Sequence, residues 1–184
     1  MKKRFLAFLL AVCVAVSMLV LPASAVGSNA AVQTATALGG LTAEQAGSLG
    51  APLTRGQAAR LLTAFSAYRD TTTAQGRTGR LYSDVDSDSP YAVYIRTAVQ
   101  NGWMTGYSDG SFRPDRNVTR AELMAMVNRA LGRTPKSADD LLSGMKTWRD
   151  NANVNAWYYL DVQEATNDHT YTKSGTHETW KKLL

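Results

Sequence analysis

Apolar residues recur at helical spacing in two adjacent stretches near the middle of the chain. In the later stretch they follow the i, i+3, i+4, i+7, i+8 pattern of an amphipathic helix; the positions are Leu123, Met126, Val127, Ala130 and Leu131. The earlier stretch, residues 91–99, has the same period and is followed by Gly102, which suits a helix C-terminal cap. The pattern predicts two helices joined by the polar loop 103–118, with Phe112 as an apolar anchor beneath the loop.

The later helix begins with a Thr-Arg-x-Glu sequence. Thr119 and Glu122 have the spacing of a capping box, in which each side chain binds a backbone N–H at the helix entrance. Arg120 lies between them, in the first turn, where the helix dipole makes an exposed cation unfavourable by about 0.3–1 kcal/mol. A related sequence at residues 54–57 places Arg55 in the same position. Two such arginines indicate a role other than stabilising the helix.

The chain contains an internal repeat. Arg55 and Arg120 are 65 positions apart (120 − 55), and the apolar positions behind Arg55 keep that offset; they are Ala58, Leu61, Leu62 and Phe65. The aromatic-x-Asp sequences that end at Asp84 and Asp150 are 66 positions apart (150 − 84). We therefore expect three units that pack together around a shared core. Their bounds are residues 26–70 for a degenerate first unit, 81–133 for a complete second unit and 147–184 for a shortened third unit.

The outer units are also predicted to be helical. The first has an alanine-rich candidate helix near Ala30–Leu38, which stops at Gly39-Gly40. The third has candidate helices at Ala156–Asp168 and near His177–Leu184. The predicted fold class is therefore all-α, built from helix-loop-helix units.

The N-terminal residues match a secretory signal peptide. A positive segment, Lys2–Arg4, precedes the apolar run Phe5–Leu21 and a small-residue site at Ala23–Ala25. The alternative is a permanent membrane anchor, because the run is close to the lower limit of about 17 residues for a spanning helix. The Ala-Ser-Ala site favours cleavage after Ala25, so residues 1–25 are assigned to the signal peptide and the mature chain is expected to be outside the membrane.

Cleavage would change the charge and remove the only cysteine. The whole chain has 20 Lys and Arg against 15 Asp and Glu. Without Lys2, Lys3 and Arg4 there are 17 basic residues against 15 acidic ones, so the mature chain is only slightly basic. This balance does not support nucleic-acid binding, which favours a strongly basic face. Cys13 would leave with the signal peptide, which excludes disulfides and thiolate metal sites.

Enzymatic motifs have little support in the sequence. It has no P-loop or G-x-G-x-x-G sequence, and its G-x-S-x-G match at residues 106–110 lies in a predicted loop, not at the strand-to-helix turn of a nucleophile elbow. His169 and His177 do not have the i, i+4 spacing of a helical metal site. We therefore expect no enzyme activity, no catalytic residue, no metal and no cofactor. A hydrolase of wall glycan stays open as an alternative, because two carboxylates facing a sugar cannot be recognised from spacing alone.

The middle unit resembles an S-layer homology (SLH) domain. It has, in order, the YSDV sequence, a helix, GWMTGY, DGSFRP and TRAE. The sequence LTRGQAARLLTAF resembles the second half of a first repeat of this family. The sequence WRDNANVNAWYYLDVQEATNDHTYTK resembles the first half of a third repeat.

The resemblance implies a fold, a location and a ligand. The fold would be a pseudo-threefold helical bundle with grooves between the repeats. Such proteins are secreted by bacteria and bind the cell wall non-covalently, usually through a secondary cell-wall polysaccharide that often carries an acidic pyruvyl ketal. The arginine of the TRAE motif is associated with this binding, which corresponds to Arg120 directly and to Arg55 through the TRGQ variant. The third unit has no equivalent arginine.

Physical chemistry supports an anion-binding role for these two arginines. A helix N-terminus offers backbone N–H groups and a positive dipole end. A guanidinium beside it adds a planar pair of donors that suits a carboxylate. The alternative for Arg120 and Arg55 is a solvated arginine paired with a nearby acidic residue.

Four further residues are candidate ligand-binding residues, each with a structural alternative. Asp84 and Asp150 either accept hydrogen bonds from sugar hydroxyls or organise the turn before a helix. Trp103 either stacks on a sugar ring or fills the core. Gly106 serves the backbone conformation of the loop or allows a ligand to approach closely.

The leading hypothesis is thus a wall-anchoring module of the cell surface or S-layer that binds an acidic secondary cell-wall polysaccharide. The alternative is a structural protein of a surface layer, which would act through contacts with other surface proteins.

Overall fold

The computed structural model describes residues 25–47, 51–70 and 80–184. All but the last residue of the predicted signal peptide therefore lies outside the described residues. Within the described ranges, no helix has the length and apolar character needed to cross a membrane. The chain divides into two compact units, of which the first ends at Arg120 and the second is Ala121–Leu184.

The described part of the first unit is helical. Its helices are α1 (Ala25–Ala37), α2 (Ala43–Gly47), α3 (Arg55–Ala64) and α4 (Ala92–Gln100), and a further helix, α5 (Arg120–Leu131), begins at its last residue. Helix α3 packs against α4, and the apolar stripes of both face the core, where Leu61, Ile95 and Ala98 are at most 1% exposed. The helices predicted on either side of the loop 103–118 and behind Thr54 are confirmed.

The predicted capping box at the start of α3 is confirmed. The amide of Gln57 donates to the Thr54 hydroxyl at 3.3 Å, and the Gln57 side-chain oxygen accepts from the Thr54 amide at 2.8 Å. At the other end of the helix pair, Gly102 follows α4 with a φ of 70°, a left-handed conformation that glycine adopts without steric cost. Phe112 is fully buried, which confirms that it anchors the loop.

The second unit combines helices with a small sheet. It contains the rest of α5, α6 (Tyr159–Thr166), β1 (Thr134–Pro135), β2 (His169–Ser174), β3 (His177–Leu183) and the 3-10 turns Ala138–Asp140 and Arg149–Asn151. The strand order is β1-β3-β2. Strand β1 pairs with β3 in parallel, and β2 pairs with β3 antiparallel.

The predicted all-α fold class is wrong, because the end of the chain is a β-hairpin. The segment His177–Leu184 was expected to be a helix, but its first seven residues form β3. Along β3 the buried side chains, Glu178 and Trp180, alternate with more exposed ones, which is the two-residue period of a strand. The turn is Gly175-Thr176, with a φ of 60° at the glycine, and glycine at this position is typical of two-residue hairpins. A bundle of helix-loop-helix repeats alone therefore does not describe this chain.

Candidate functional site

Arg55 is buried, and its side chain donates hydrogen bonds to the backbone of the loop 103–118. Its side chain extends from the first turn of α3, and the residue is only 6% exposed. The Nε–H donates to the carbonyl of Phe112 at 2.8 Å, and Nη2 donates to the carbonyl of Thr105 at 2.6 Å. The guanidinium carbon also lies 4.4 Å from the centroid of the Phe112 ring. Arg55 thus fastens two points of the loop to the start of α3.

The first amides of α3 are already bonded within the unit. The amide of Arg55 donates to the carbonyl of Arg116 at 2.9 Å. That of Gly56 donates to the carbonyl of Pro114 at 2.8 Å. The amides of Thr54 and Gln57 each donate to the side-chain oxygen of the other residue in the capping box. These four N–H groups are the ones that an anion would use at a helix N-terminus, so an anion at α3 would have to displace loop carbonyls.

An aromatic ring further closes the start of α3. A Cβ atom at Gly56 would lie 2.8 Å from two ring carbons of Tyr91, nearer than side chains normally approach. Glycine at this position therefore allows Tyr91 to lie against the first turn of the helix. The Tyr91 ring therefore occupies the space beside the first turn of α3, next to Arg55.

Asp84 organises the same loop from its other side. Its Oδ1 accepts from the amide of Phe112 and its Oδ2 from the amide of Arg113, both at 2.7 Å. Hydrogen bonds to an ionised acceptor are stronger than neutral ones. The geometry supports the turn-organising alternative for Asp84, and contact with a sugar stays a prediction.

Gly106 leaves room for a neighbouring tyrosine. A Cβ atom there would lie 2.1 Å from Cε1 of Tyr82, and the Gly106 amide donates to the Tyr82 hydroxyl at 3.1 Å. The Tyr82 ring in turn lies 5.4 Å from that of Phe112, centroid to centroid. The close approach that glycine permits here is thus made by a residue of the protein itself, while approach by a ligand stays a prediction.

Guanidinium groups surround Tyr107, a feature that the sequence reasoning missed. The guanidinium carbons of Arg113, Arg55 and Arg116 lie 4.0, 5.1 and 6.0 Å from the ring centroid. Such contacts are favourable because the face of an aromatic ring is electronegative. The positions of Arg113 and Arg116 around Pro114 were visible in the sequence, but their approach to Tyr107 depends on the loop's path.

Arg113 owes its position to a compact turn. Its φ is 58°, which is uncommon for a residue with a side chain. Its Nη2 lies 2.8 Å from Oδ2 of Asp109, and Asp109 also accepts from the hydroxyl and amide of Ser111. The hydrogen bonds from Ser111 lower the pKa of Asp109 most, the bond from Arg113 lowers it further, and the pKa lies below its ordinary value. The turn therefore presents an ordered cation at the surface of the loop.

Trp103 and Arg120 lie at opposite ends of the loop. Trp103 is 6% exposed and makes an edge-on contact with Tyr68, with centroids 5.9 Å apart. That burial supports the core alternative for Trp103. Arg120 is the first residue of α5 and is partly buried.

The candidate residue of the third repeat lies in the second unit. Asp150 is exposed within the 3-10 turn Arg149–Asn151. Trp157 follows in the same connection and is 63% exposed, with an edge-on contact to Tyr158. Four of the predicted residues, Arg55, Asp84, Trp103 and Gly106, therefore meet at one loop, whereas Asp150 belongs to the other unit.

A buried polar cluster in the second unit also escaped the sequence reasoning. It consists of Arg133, Glu164, His169 and Glu178 and is named the Arg133 cluster here. Glu164, His169 and Glu178 offer potential metal-ligand atoms within 4.8 Å of one another. The guanidinium of Arg133, however, lies 2.6 Å from Glu164 and 3.1 Å from Glu178, so an arginine provides the positive charge that a metal would supply. The sequence signal was weak, because the four residues are up to 45 positions apart.

Comparison with known proteins identifies the segment that contains the loop. The S-layer homology domain model matches residues 81–124, which include α4, the whole loop and the start of α5. Residues 81–124 are an S-layer homology domain. The match confirms the resemblance inferred from the sequence of this segment. The division into three repeats stays a prediction.

Two curated relatives each match part of the chain. A cellulosome-anchoring protein of Acetivibrio thermocellus is 38% identical over 78 residues, which make up 42% of this chain and 16% of that protein. Cell surface glycoprotein 1 of the same organism is 32% identical over 91 residues, or 50% of this chain and 4% of that protein. The matches thus span only a small part of either relative. No solved structure matches the chain significantly.

The domain and its relatives indicate that the protein is located at the cell surface. The predicted location is therefore confirmed. The S-layer homology domain is an anchoring module of surface proteins, which agrees with the expectation of a non-enzymatic role.

Proposed function

We propose that the protein anchors itself non-covalently to the cell wall by binding an acidic, pyruvylated secondary cell-wall polysaccharide, and that Arg120 holds the anionic group. The observation that carries the proposal is the S-layer homology domain itself, whose matched segment ends in the first turn of α5 and includes Arg120. A cation in this turn gains nothing from the helix dipole. Binding an external carboxylate gives it a function.

The chemistry of the ligand suits this end of α5. A pyruvyl ketal carries one carboxylate per sugar, and a guanidinium binds such a group through two parallel N–H bonds. The positive end of the helix dipole adds to the attraction. Asp84 and Arg55 would act indirectly, by fixing the shape of the loop 103–118 through its backbone.

Arg120 and Arg55 therefore receive different roles in the proposal. Two donors of Arg55 are used by loop carbonyls, and the amides around it are bonded within the unit. An anion contact through Arg55 would require those bonds to be replaced. We assign the anion to Arg120, because its TRAE sequence lies in the matched segment and corresponds to the family motif directly, and we assign the support of the loop to Arg55.

Cosedimentation with purified cell walls tests the proposal. Arg120→Ala should weaken wall binding by about tenfold or more, because a hydrogen bond to a charged group contributes about 1.5–3 kcal/mol. Its melting temperature should stay close to that of the wild type. Arg129→Ala is the matched control, since it removes an exposed arginine from the last turn of the same helix, and it should bind like the wild type.

The ligand is tested with the same assay. Walls whose polysaccharide has been extracted should no longer retain the protein, and walls that keep the polysaccharide but have lost the ketal should retain it weakly. Equal binding to extracted walls would contradict the polysaccharide proposal. Release of reducing ends from the walls would instead favour a hydrolase.

A second function, assembly through protein–protein contacts, is favoured by exposed apolar residues in the second unit. Val154 and Trp157 are 62% and 63% exposed in one connection, and apolar side chains that form a contiguous exposed patch mark contact surfaces. Analytical ultracentrifugation without polysaccharide should then show oligomers that depend on protein concentration. Trp157→Ala should reduce them. A monomer at all concentrations would exclude this function.

A further inference from the structure

The Arg133 cluster joins the C-terminal hairpin to the rest of the second unit. Arg133 follows α5, Glu164 lies on α6, His169 begins β2 and Glu178 lies on β3. The side chains of Glu164, His169 and Glu178 are at most 1% exposed, and that of Arg133 is 12% exposed. Ionic groups shielded from water to this degree must balance their charges locally, since an unpaired buried charge is strongly destabilising.

The fixed charges of the cluster do not balance. The guanidinium of Arg133 lies 2.6 Å from Oε1 of Glu164, and its Nε lies 3.1 Å from both oxygens of Glu178. Oε2 of Glu164 accepts from the neutral indole N–H of Trp180 at 2.8 Å. Two carboxylates therefore share one guanidinium, and one negative charge is left without a permanent counter-charge.

His169 is placed to supply the missing charge. Its Nδ1 lies 2.7 Å from the carbonyl of Asn167, which only accepts, so Nδ1 carries a proton. Its Nε2 lies 3.4 Å from Oε2 of Glu164 and 3.8 Å from Oε2 of Glu178. A proton on Nε2 would make the ring positive and attract both carboxylates, whereas a neutral ring would direct a lone pair at them and accept from Arg133, 3.2 Å away.

The other charged or titratable groups on the surrounding elements are exposed or bonded elsewhere. On β3 itself, these are His177, Lys181 and Lys182, which are exposed. On β2, the Tyr171 ring lies 4.8 Å from the Arg133 guanidinium, and Lys173 is bonded to the carbonyl of Gly132. Strand β1 is Thr134-Pro135 and has no titratable group. On α6, Asp161 is bonded to Asn128, and Asp140 accepts from the Thr179 hydroxyl.

We propose that the Arg133 cluster holds one exchangeable proton in the folded protein, shared between His169 and Glu164, and that loss of this proton loosens the hairpin β2–β3. If the proton is on His169, the two positive charges of Arg133 and His169 balance the two carboxylates. If it is on Glu164, the remaining charges are those of Arg133 and Glu178, which balance each other. Without the proton, a negative charge stays buried between α6 and the hairpin. The attachment of the hairpin β2–β3, called the latch here, would thus depend on the pH around this cell-surface protein.

The direction of the effect agrees with the electrostatics of Glu164. Burial raises the pKa of its carboxyl, against the opposing effects of Arg133 and His169. A group whose pKa is raised on folding binds its proton more tightly in the folded state. Its stabilising contribution is present at low pH and is lost as the pH rises through the folded pKa.

Hydrogen exchange of the full chain tests the latch. Protection factors of the β3 amides, each relative to exchange of an unstructured chain at the same pH, are measured from about pH 5 to about pH 9, where histidines and buried carboxylates titrate. We expect protection to fall by up to about tenfold per pH unit over part of this range, the limit for one proton. Amides of α3 in the other unit serve as the internal reference and should not follow this fall.

Charge-neutral variants assign the effect to the cluster. Glu164→Gln removes the excess negative charge and should abolish the fall in protection. Asp168→Asn, which changes an exposed carboxylate just after α6, is the matched control and should keep the wild-type fall. If Glu164→Gln does not fold, Glu178→Gln removes the other carboxylate and should give the same loss of pH dependence.

Three results would overturn the proposal. Two are wild-type protection that is independent of pH and an unchanged fall in the glutamine variant. The other is increased protection on addition of Zn²⁺, because the cluster would then be a metal site from which Arg133 is displaced.

Discussion

At the scale of single residues, the loop 103–118 of the S-layer homology domain is shaped by side chains that bind its backbone. Asp84 accepts from two consecutive loop amides, and Arg55 donates to two loop carbonyls. The Tyr82 hydroxyl accepts from a third amide, that of Gly106. Bonds of this kind fix the path of the chain without using the loop's own side chains, which leaves residues such as Arg113 directed to the surface.

Asp84→Asn should destabilise the protein even without a ligand. An amide side chain offers one acceptor oxygen in place of two, so one of the loop amides loses its charged partner. We expect a loss of about 1–3 kcal/mol in the free energy of unfolding, measured by urea denaturation. Asp86→Asn is the matched control, because the Asp86 side chain forms an exposed ion pair with Arg80, which contributes about 0–1 kcal/mol. Unchanged stability together with weaker wall binding would instead show that Asp84 contacts the sugar.

The sequence revealed the local part of the candidate site and missed the long-range part. Thr54 and Gln57 are three positions apart, and their reciprocal capping was predicted correctly from spacing. The Arg55 side chain, by contrast, bonds to residues 50 and 57 positions away. No periodic pattern specifies such a contact, so the sequence did not reveal that Arg55 supports the loop, and anion binding by Arg55 stays a prediction.

At the scale of elements, the helices were predictable and the hairpin was not. Helices α4 and α5 carry apolar stripes with the helical period, and α4 is followed by Gly102 in a left-handed conformation. Strands β2 and β3 have six and seven residues, a length at which helical and strand periods are hard to distinguish. The third unit was also expected to copy the second. Its Gly175-Thr176 turn was the signal that could have corrected this expectation, since a glycine between Thr-rich stretches is typical of a hairpin.

The hairpin depends on Trp180 for its attachment. Trp180 is 2% exposed, stacks on His169 with centroids 4.0 Å apart, and donates to Glu164. Trp180→Ala should therefore lower the free energy of unfolding of the second unit by about 3–5 kcal/mol, as for other large buried side chains. Trp157→Ala, which removes an exposed tryptophan from the same unit, should change it by less than about 1 kcal/mol. Hydrogen exchange of the unit would measure both, and equal effects would contradict the burial of Trp180.

At the scale of the whole molecule, α3 and α5 begin with a related sequence, and we expect their arginines to have different roles. At α3 the first amides bind loop carbonyls, and Tyr91 lies against Gly56. The residue that follows Arg120 in α5 is Ala121, whose side chain excludes the close ring contact that Gly56 allows. An internal repeat therefore need not provide one ligand site for each copy.

The number of sites per chain follows from this difference. We expect isothermal titration with a soluble pyruvylated saccharide of the wall polymer to give about one binding site per chain, because only Arg120 is assigned to the anion and the third unit has no equivalent arginine. Arg120→Ala should raise the Kd for the saccharide by about tenfold or more, whereas Arg129→Ala should leave both affinity and stoichiometry unchanged. A stoichiometry of two would mean that the saccharide displaces the loop carbonyls from Arg55. In that case the two linked sites would increase the avidity for a polymeric ligand, and wall binding would tighten far beyond the affinity for the single saccharide.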